Sequence, residues 1–271
     1  MSPNPSTMSP TIDLIVLAGG RGSRLGGALK PAVEVAGRTL LSRVLDARPG
    51  ARHAVVVGPP AARPAAVSPS LAENRAPVTL ARTPGVTEPQ SQPGDQSGKS
   101  TAALTQSALI WALEDPPFGG PVAGIAAGLV ALEASADEPA DWLLVLACDL
   151  PWGADAARLL VAAASALDTA NASATEPTDT STSSASTVDG VHLTDTSGHV
   201  QWLAAIYRTP ALRAAVDRLG DRVNGASMRQ LLVGLNLNGL PDESEVGADV
   251  DTWQDVESSS ERLIRSKPTE E

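Results

Sequence analysis

Glycines and cations occur together at residues 14–31, LIVLAGGRGSRLGGALKP, where an apolar run leads into a polar loop. Glycines allow backbone N–H groups to come close to phosphate oxygens, and the cations Arg21, Arg24 and Lys30 would balance the negative charge of a polyphosphate. The pattern therefore predicts a loop that binds the phosphates of a nucleotide.

Two better-known phosphate loops fit this chain less well. The dinucleotide fingerprint G-x-G-x-x-G needs a third glycine. Gly20 and Gly22 match its first two, but Leu25 stands at the position of the third. The acid that would hold a ribose, Asp46, falls inside a predicted helix. A GKS sequence at residues 98–100 resembles the end of a Walker A loop, but Pro93 stands where that motif has its first glycine.

A carboxylate supplies the second chemical signal. Asp149 follows residues 142–147, WLLVLA, which is the strongest strand pattern in the chain. The carboxyl end of a central buried strand is where open α/β sheets bind ligands, and a carboxylate there is costly to bury without a cation. Magnesium held between Asp149 and nucleotide phosphates is one interpretation. The other is a cap for the helix that begins near Ala154, for which Asp155 is better placed.

The elements around these residues predict an open α/β sheet. Short, β-branched apolar runs indicate buried strands, and apolar residues at helical spacing indicate helices packed on them. The segment 104–113 is compatible with a helix or with a helix that passes into a strand. The other predicted elements are strands at residues 12–17, 54–57, 77–82 and 142–147, a helix capped by Thr39, a helix from Ile125, a strand pair at 188–193 and 201–207, helices begun by Pro210 and Ser227, and a short strand and helix start at 249–256.

Composition divides the chain into one domain with polar additions. Residues 12–257 are expected to form a single domain, preceded by a disordered leader at 1–11 and followed by a polar tail at 258–271. Low-complexity insertions are predicted at about 83–103 and 168–187, and the second contains 11 Ser and Thr among 20 residues.

Charge and cysteine content exclude several classes of protein. The formal net charge of −11 makes nucleic acid an improbable partner, whereas residues 1–60 carry seven basic and three acidic residues, as an anionic ligand would favour. Cys148 is the single cysteine, so no intrachain disulfide can form. We find no signal peptide and no apolar run long enough to cross a membrane, and we expect a cytoplasmic protein.

The order of these motifs resembles the molybdenum cofactor guanylyltransferases, which are MobA-like NTP transferases of the nucleotide-diphospho-sugar transferase superfamily. The resemblance implies a three-layer α/β/α Rossmann-like nucleotidyltransferase fold with a mixed, mainly parallel sheet. The matching segments are LAGGRGSRLGG with Lys30, EDPPFGGPVAGIAAGL, LVLACDLP, WLAAIYR with GASMRQLL, and DVDTWQDV.

The same resemblance implies a reaction and its residues. GMP from GTP would be attached to the terminal phosphate of molybdopterin, with Mg²⁺ as cofactor and pyrophosphate released, and pathway proteins would be transient partners. The implied catalytic residues are Lys30, Arg24 and Asp149, and the implied metal ligands are Asp149 and Asp251. The implied nucleotide-binding residues are Leu17, Ala18, Gly19, Gly20, Arg21, Gly22, Lys30, Asp115, Gly120 and Pro121.

Differences from the family pattern keep two alternatives open. Leu29 replaces an acid that commonly precedes the loop lysine, Pro31 follows that lysine as in many sugar nucleotidyltransferases, and Asp249 and Asp251 stand where guanylyltransferases often begin with asparagine. Asp249 is either a further metal contact or a surface acid. One alternative is transfer to another phosphorylated acceptor, a sugar phosphate or, from CTP, a pterin. The other is an inactive, nucleotide-binding regulatory subunit.

Overall fold

The computed structural model describes residues 10–66, 109–136, 138–173 and 187–266. The strand predicted at residues 77–82, the insertion at 83–103 and the GKS sequence at 98–100 lie outside these ranges. So do most of the leader and the final residues of the tail. Thr11 belongs to the described part, and its hydroxyl and backbone N–H donate hydrogen bonds to the carboxylate of Asp141.

Eleven strands and six α-helices occur among the described residues. The strands are β1 (Ile12–Leu17), β2 (Arg21–Gly22), β3 (Ala28–Leu29), β4 (Glu34–Val35), β5 (Arg38–Thr39), β6 (Ala54–Val57), β7 (Leu109–Ala112), β8 (Trp142–Ala147), β9 (Gly190–Thr194), β10 (Val200–Arg208) and β11 (Leu237–Pro241). The helices are α1 (Leu40–Val44), α2 (Pro121–Glu133), α3 (Gly153–Ser173), α4 (Thr209–Leu219), α5 (Met228–Leu231) and α6 (Trp253–Arg265). Short 3₁₀ segments occupy Ser23–Leu25, Lys30–Ala32, Leu45–Gly50, Pro60–Ala66 and Gly220–Val223.

Seven strands form one mixed sheet in the order β11-β9-β10-β8-β1-β6-β7. Pairing is parallel between β8 and β1, β1 and β6, β6 and β7, and β9 and β11, whereas β10 is antiparallel to both of its neighbours. The expected mixed, mainly parallel sheet is therefore confirmed. Parallel strands place their carboxyl ends at one edge, so the loops after β1, β6, β7 and β8 meet there.

Helices cover both faces of the sheet. Alternate residues of β1 illustrate this, since Leu14 and Val16 pack in the core shared with α1 and α3, and Ile15 packs in the core shared with α2, α4 and α5. Helix α2 lies very close to β1, and two glycines allow this approach. A Cβ at Gly124 would come within 2.9 Å of Leu17, and a Cβ at Gly128 would come within 2.6 Å of Ile15. The three-layer α/β/α prediction is thus confirmed.

Most predicted elements occur where the patterns placed them, but the short strand predicted at the start of residues 249–256 is not a strand in the structure, and two elements differ near the carboxyl edge of the parallel strands. Leu109–Ala112 is a strand, which resolves the ambiguous segment within the described residues. Helix α2 begins at Pro121, earlier than the predicted Ile125, because proline is well suited to a first helical turn and Gly120 adopts the positive φ of 92° that leads into it. Strand β11 was missed by the sequence patterns because its residues, LNGLP, do not alternate in polarity.

The described parts of the predicted insertion at 168–187 and of the predicted tail at 258–271 are largely helical, and residues 174–186 lie outside the described ranges. Helix α3 continues to Ser173, because Asp168 accepts a hydrogen bond from the Trp142 indole at 2.8 Å and forms an ion pair with Arg208. Helix α6 covers the tail to Arg265, because Val256 and Leu263 lie on one face and pack against the cluster around Val250. Both helices were predicted to begin near these positions, but polar composition hid the carboxyl-terminal part of each, where the few packed residues recur at helical spacing.

Removing the Asp168 carboxylate should destabilise the fold. We expect Asp168→Ala to lower the free energy of unfolding by about 1–3 kcal/mol, because two donors, on Trp142 and Arg208, lose a partly buried acceptor. Urea unfolding followed by tryptophan fluorescence would measure the change. Asp217→Ala, at an exposed position of α4, is the control and should shift stability by less than about 0.5 kcal/mol. Equal effects of Asp168→Ala and Asp217→Ala would contradict the stabilising role of the Asp168 carboxylate.

None of the helices in the described part of the chain is long and apolar enough to cross a membrane.

Candidate active site

A cavity of about 470 Å³ opens at the carboxyl edge of the parallel strands. Its floor is apolar, and its rim carries a lysine and two carboxylates, which is the usual composition of a small-molecule site. The lining residues are Leu17, Gly19, Gly20, Lys30, Val57, Glu114, Phe118, Gly120, Pro121, Gly124, Ala147, Cys148, Asp149 and Leu203.

The glycine loop after β1 forms one wall of the cavity and connects its two ends. A Cβ at Gly19 would lie 3.2 Å from Glu114 Oε1, whereas a Cβ at Gly20 would lie 3.8 Å from Lys30 Cδ. Small residues therefore leave room between a carboxylate on one side and an ammonium on the other.

Lys30 lies at the centre of the charged end. Its Nζ donates to Asp149 Oδ2 at 2.6 Å and also to Asp251 Oδ1, and its side chain is largely buried. Burial alone would lower the pKa of Lys30, but the attraction of Asp149 and the hydrogen bonds to both carboxylates outweigh it and raise the pKa above its ordinary value. Lys30 is therefore a fixed positive charge at this end.

Asp149, Asp249 and Asp251 bring carboxylate oxygens within 4.8 Å of one another. Asp149 Oδ1 is buried and has no hydrogen-bond partner among the described residues, so one oxygen of the central carboxylate remains available. Hard oxygen donors are the ligands that Mg²⁺ prefers. The three residues therefore fit a divalent cation.

Backbone contacts bring the distant aspartates to Asp149. The N–H of Val250 donates to the carbonyl oxygen of Asp149 at 3.0 Å, and Val250 itself is fully buried. The next turn is fixed by the Thr252 and Asp255 capping box, whose carboxylate also accepts from the backbone N–H of Asp251. Thr252 thus caps helix α6, and this cap orients the segment that carries Asp249 and Asp251.

The capping role considered for Asp149 is wrong. Helix α3 begins at Gly153, and the Asp149 side chain points instead to Lys30. Asp155 is not the cap either, because it lies inside the first turn, where its carboxylate forms an ion pair with Arg158. Pro151 and Trp152, which follow Leu150, separate Asp149 from the start of helix α3.

Crowding of the carboxylates predicts an unusual pH dependence of stability. Burial, and then repulsion from Asp149 and Asp251, raise the pKa of Asp249 above its ordinary value although part of its side chain faces solvent. A raised carboxyl pKa costs stability above both pKa values, and the cost disappears as pH falls. We expect Asp249→Asn to raise the urea midpoint at pH 7 in metal-free buffer, with no gain below about pH 4.

Asp255→Asn is the matched control, for which we expect a change of the urea midpoint in the opposite direction. Burial opposes the shift, but hydrogen bonds from the Thr252 hydroxyl and backbone lower the pKa of Asp255. Its stabilisation is therefore present at pH 7 and is lost as pH falls, so the substitution should lower the midpoint at pH 7. A destabilised Asp249→Asn protein at pH 7 would show that the cluster is not crowded in solution.

Most residues singled out in the sequence lie at this edge of the sheet. Leu17, Gly19, Gly20, Gly120 and Pro121 line the cavity, and the buried Ala18 lies between Leu17 and Gly19. The backbone of Arg21 and Gly22 forms β2, which pairs with β3. Arg24 is exposed, and its Nη1 lies 3.1 Å from Asp251 Oδ2, so it contacts the carboxylate cluster from outside.

Asp115 does not line the cavity, and the neighbouring Glu114 does. Asp115 is exposed, whereas Glu114 is 8% exposed and its Oε1 accepts the Phe118 backbone N–H at 2.9 Å. This turn after β7 directs Glu114 inward and its neighbour outward. The Glu-Asp pair in the sequence marked the position, but only the turn decides which carboxylate faces the cavity.

The fold and this site define an α/β nucleotidyltransferase-like protein. A family model described as the MobA-like NTP transferase domain matches residues 14–234, and the chain belongs to that family. The family is one of nucleotidyltransferases, which agrees with the glycine loop, the lysine and the carboxylates at one sheet edge.

A molybdenum cofactor guanylyltransferase from Rhodopseudomonas palustris (strain BisB5) is 50% identical to this chain over 42 residues. That match spans 16% of the chain and 20% of the relative. It is therefore a local similarity, and the chain aligns with about a fifth of that protein.

Solved structures share the fold at low sequence identity. Rv0371c from Mycobacterium tuberculosis H37Rv is 17% identical with a TM-score of 0.54, and the comparison covers 94% of this chain and 100% of that one. A nucleotidyl transferase from Methanothermobacter thermautotrophicus is 16% identical with a TM-score of 0.56, covering 95% and 99%. A 4-diphosphocytidyl-2C-methyl-D-erythritol synthase from Anaerococcus prevotii DSM 20548 is 13% identical with a TM-score of 0.52, covering 95% and 100%.

Proposed function

We propose that this protein transfers GMP from GTP to the terminal phosphate of molybdopterin and releases pyrophosphate. The observation that carries the proposal is the buried Lys30, which lies between Asp149 and Asp251 at the end of a glycine-lined cavity. The local identity to a molybdenum cofactor guanylyltransferase supports the choice of base and acceptor.

The charge distribution supports one orientation of the nucleotide. Its triphosphate would lie at the Lys30 end, where Lys30 and a divalent cation held by Asp149, Asp249 and Asp251 would together offset the negative charge of the phosphates. The base would lie near Glu114, where Lys30 and that cation do not neutralise the carboxylate. The apolar floor formed by Leu17, Val57 and Leu203 suits the face of a planar base. Arg24 is placed to meet phosphate oxygens near the rim.

Chemistry at this site needs no protein nucleophile. The acceptor phosphate would attack the α-phosphorus in line, so the protein contributes positioning and electrostatic stabilisation. Asp149, Asp249 and Asp251 would hold Mg²⁺, which supplies Lewis-acid stabilisation of phosphate oxygens when bound. Lys30 would stabilise the negative charge that develops on the phosphoryl oxygens. The presence of Lys30 beside these three aspartates favours an active enzyme over a regulatory subunit.

A turnover assay tests the proposal directly. Purified protein is incubated with Mg²⁺ and each of the four NTPs, with and without molybdopterin, and released pyrophosphate is measured. We expect release with GTP only when molybdopterin is present. Release with another nucleotide or acceptor would replace the assigned substrates, and nucleotide binding with no release under any condition would favour the regulatory subunit.

A further inference from the structure

Besides Asp149, a second buried carboxylate that lines the cavity has an oxygen without a hydrogen-bond partner among the described residues. Glu114 is 8% exposed, and its Oε2 is buried without a hydrogen-bond partner among the described residues. The same side chain lines the cavity. An unpaired buried carboxylate oxygen is energetically costly, so a ligand that supplies N–H donors there gains binding energy.

The second oxygen of this carboxylate holds the side chain in place. Glu114 Oε1 accepts the Phe118 N–H at 2.9 Å and lies next to Gly19, where a Cβ would come within 3.2 Å. A carboxylate has about four lone-pair sites, so Oε1 still has room for a second donor beside the free Oε2. Glu114 is therefore a fixed carboxylate in the cavity wall, with lone pairs left on both of its oxygens.

Among the four standard nucleobases, guanine alone carries two adjacent N–H donors on its pairing edge, at N1 and at the 2-amino group. Adenine and cytosine each present one amino group beside a ring acceptor, and uracil presents one N–H between two carbonyl oxygens. A carboxylate can therefore accept a hydrogen bond on each oxygen from guanine alone. With adenine, cytosine or uracil, one carboxylate oxygen would face an acceptor atom of the base.

We propose that Glu114 is the residue that selects guanine, by accepting hydrogen bonds from N1–H and the 2-amino group of GTP. This inference rests on the proposed nucleotide substrate and assigns the base specificity of its site to a residue of this chain. Glu114 would affect binding of the base, whereas Lys30 and Asp149 would act on the phosphates and the metal. The same donor pair occurs on a pterin, so the test must separate the two ligands.

The test compares nucleotides that differ by one group. Binding of GTP and of inosine triphosphate, which lacks the 2-amino group, is measured by calorimetry with Mg²⁺ and no acceptor. We expect the natural protein to bind GTP about 10- to 100-fold more tightly, the range of one charge-assisted hydrogen bond. In Glu114→Gln that ratio should fall to near one, because the amide cannot accept from both donors. Asp217→Asn, at an exposed position of α4, is the control and should keep the original ratio.

Other outcomes separate this inference from the function it rests on. Preference for GTP over inosine triphosphate that survives in Glu114→Gln overturns the inference and leaves guanylyl transfer standing. Equal weakening of all four NTPs by the substitution also overturns it, because Glu114 would then contact the ribose. Loss of binding to a free pterin with GTP binding unchanged would assign Glu114 to the acceptor. Preference of the natural protein for CTP would instead overturn the proposed guanine substrate.

Discussion

Replacing Asp149 with asparagine is expected to reduce pyrophosphate release on the order of 10³-fold while the protein stays folded. The amide can still accept the hydrogen bond from Lys30 Nζ, which now spans 2.6 Å to Oδ2, so the local structure should persist. The substitution removes the charge at the centre of the carboxylate cluster and the oxygen, Oδ1, that is buried without a partner in the described structure. Pyrophosphate release at saturating GTP, molybdopterin and Mg²⁺ measures the effect.

Asp155→Asn is the matched control for this substitution. Asp155 lies on the first turn of α3, and its carboxylate pairs with an exposed arginine, so its loss should leave turnover within about twofold. Circular dichroism and the urea midpoint check that both variants are folded. Turnover by Asp149→Asn close to that of the natural protein would refute the assignment of Asp149 to the reaction.

Lys30→Met should produce two effects of opposite sign. Turnover is expected to fall on the order of 10³-fold, because the ammonium at the phosphate end of the cavity is lost. Affinity for Mn²⁺ in the absence of nucleotide should rise, because Asp149, Asp249 and Asp251 keep their negative charge and lose the cation that two of them now share. Electron paramagnetic resonance titration measures free Mn²⁺ without any turnover.

Arg24→Met tests whether the gain in metal affinity is specific to the buried cation. Arg24 also contacts Asp251, at 3.1 Å, but its side chain is 73% exposed and its charge is screened by water. We expect its removal to raise Mn²⁺ affinity much less than removal of Lys30. Unchanged Mn²⁺ affinity in Lys30→Met would show that Lys30 and the metal occupy separate places, and the carboxylate cluster would then need another explanation.

Strand positions were the most predictable part of the fold. Residues 54–57 and 142–147 are continuous apolar runs, residues 12–17 are interrupted only by Asp13, and each forms a strand of the parallel part of the sheet with those bounds. A strand buried on both faces is apolar along most of its length, so its pattern is visible without knowledge of its neighbours. Helices α3 and α6 were harder, because only a few of their residues pack and the others are polar.

Part of the site was also predictable. Lys30 and Asp149 each belong to a local motif beside a strand, and parallel strands place such loops at one edge. Asp251 was assigned to the metal by resemblance, and its approach to Lys30 depends on the hydrogen bond between Val250 and Asp149, which joins residues far apart in the chain. No sequence pattern encodes that contact, so Asp249 stayed ambiguous until the three carboxylates were seen together.

The sequence by itself determined the glycine loop after β1, the parallel strands around it and the residue types that meet at their carboxyl ends, because these depend on local composition and short-range periodicity. Tertiary structure decided how the charges are arranged: Lys30 between two aspartates, Asp249 beside them, and Glu114 rather than Asp115 inside the cavity. The physical reason is that the direction of a side chain after a strand ends is set by turns and long-range hydrogen bonds, such as that between Phe118 and Glu114. Adjacent carboxylates look alike in a sequence, but only one of the two is buried.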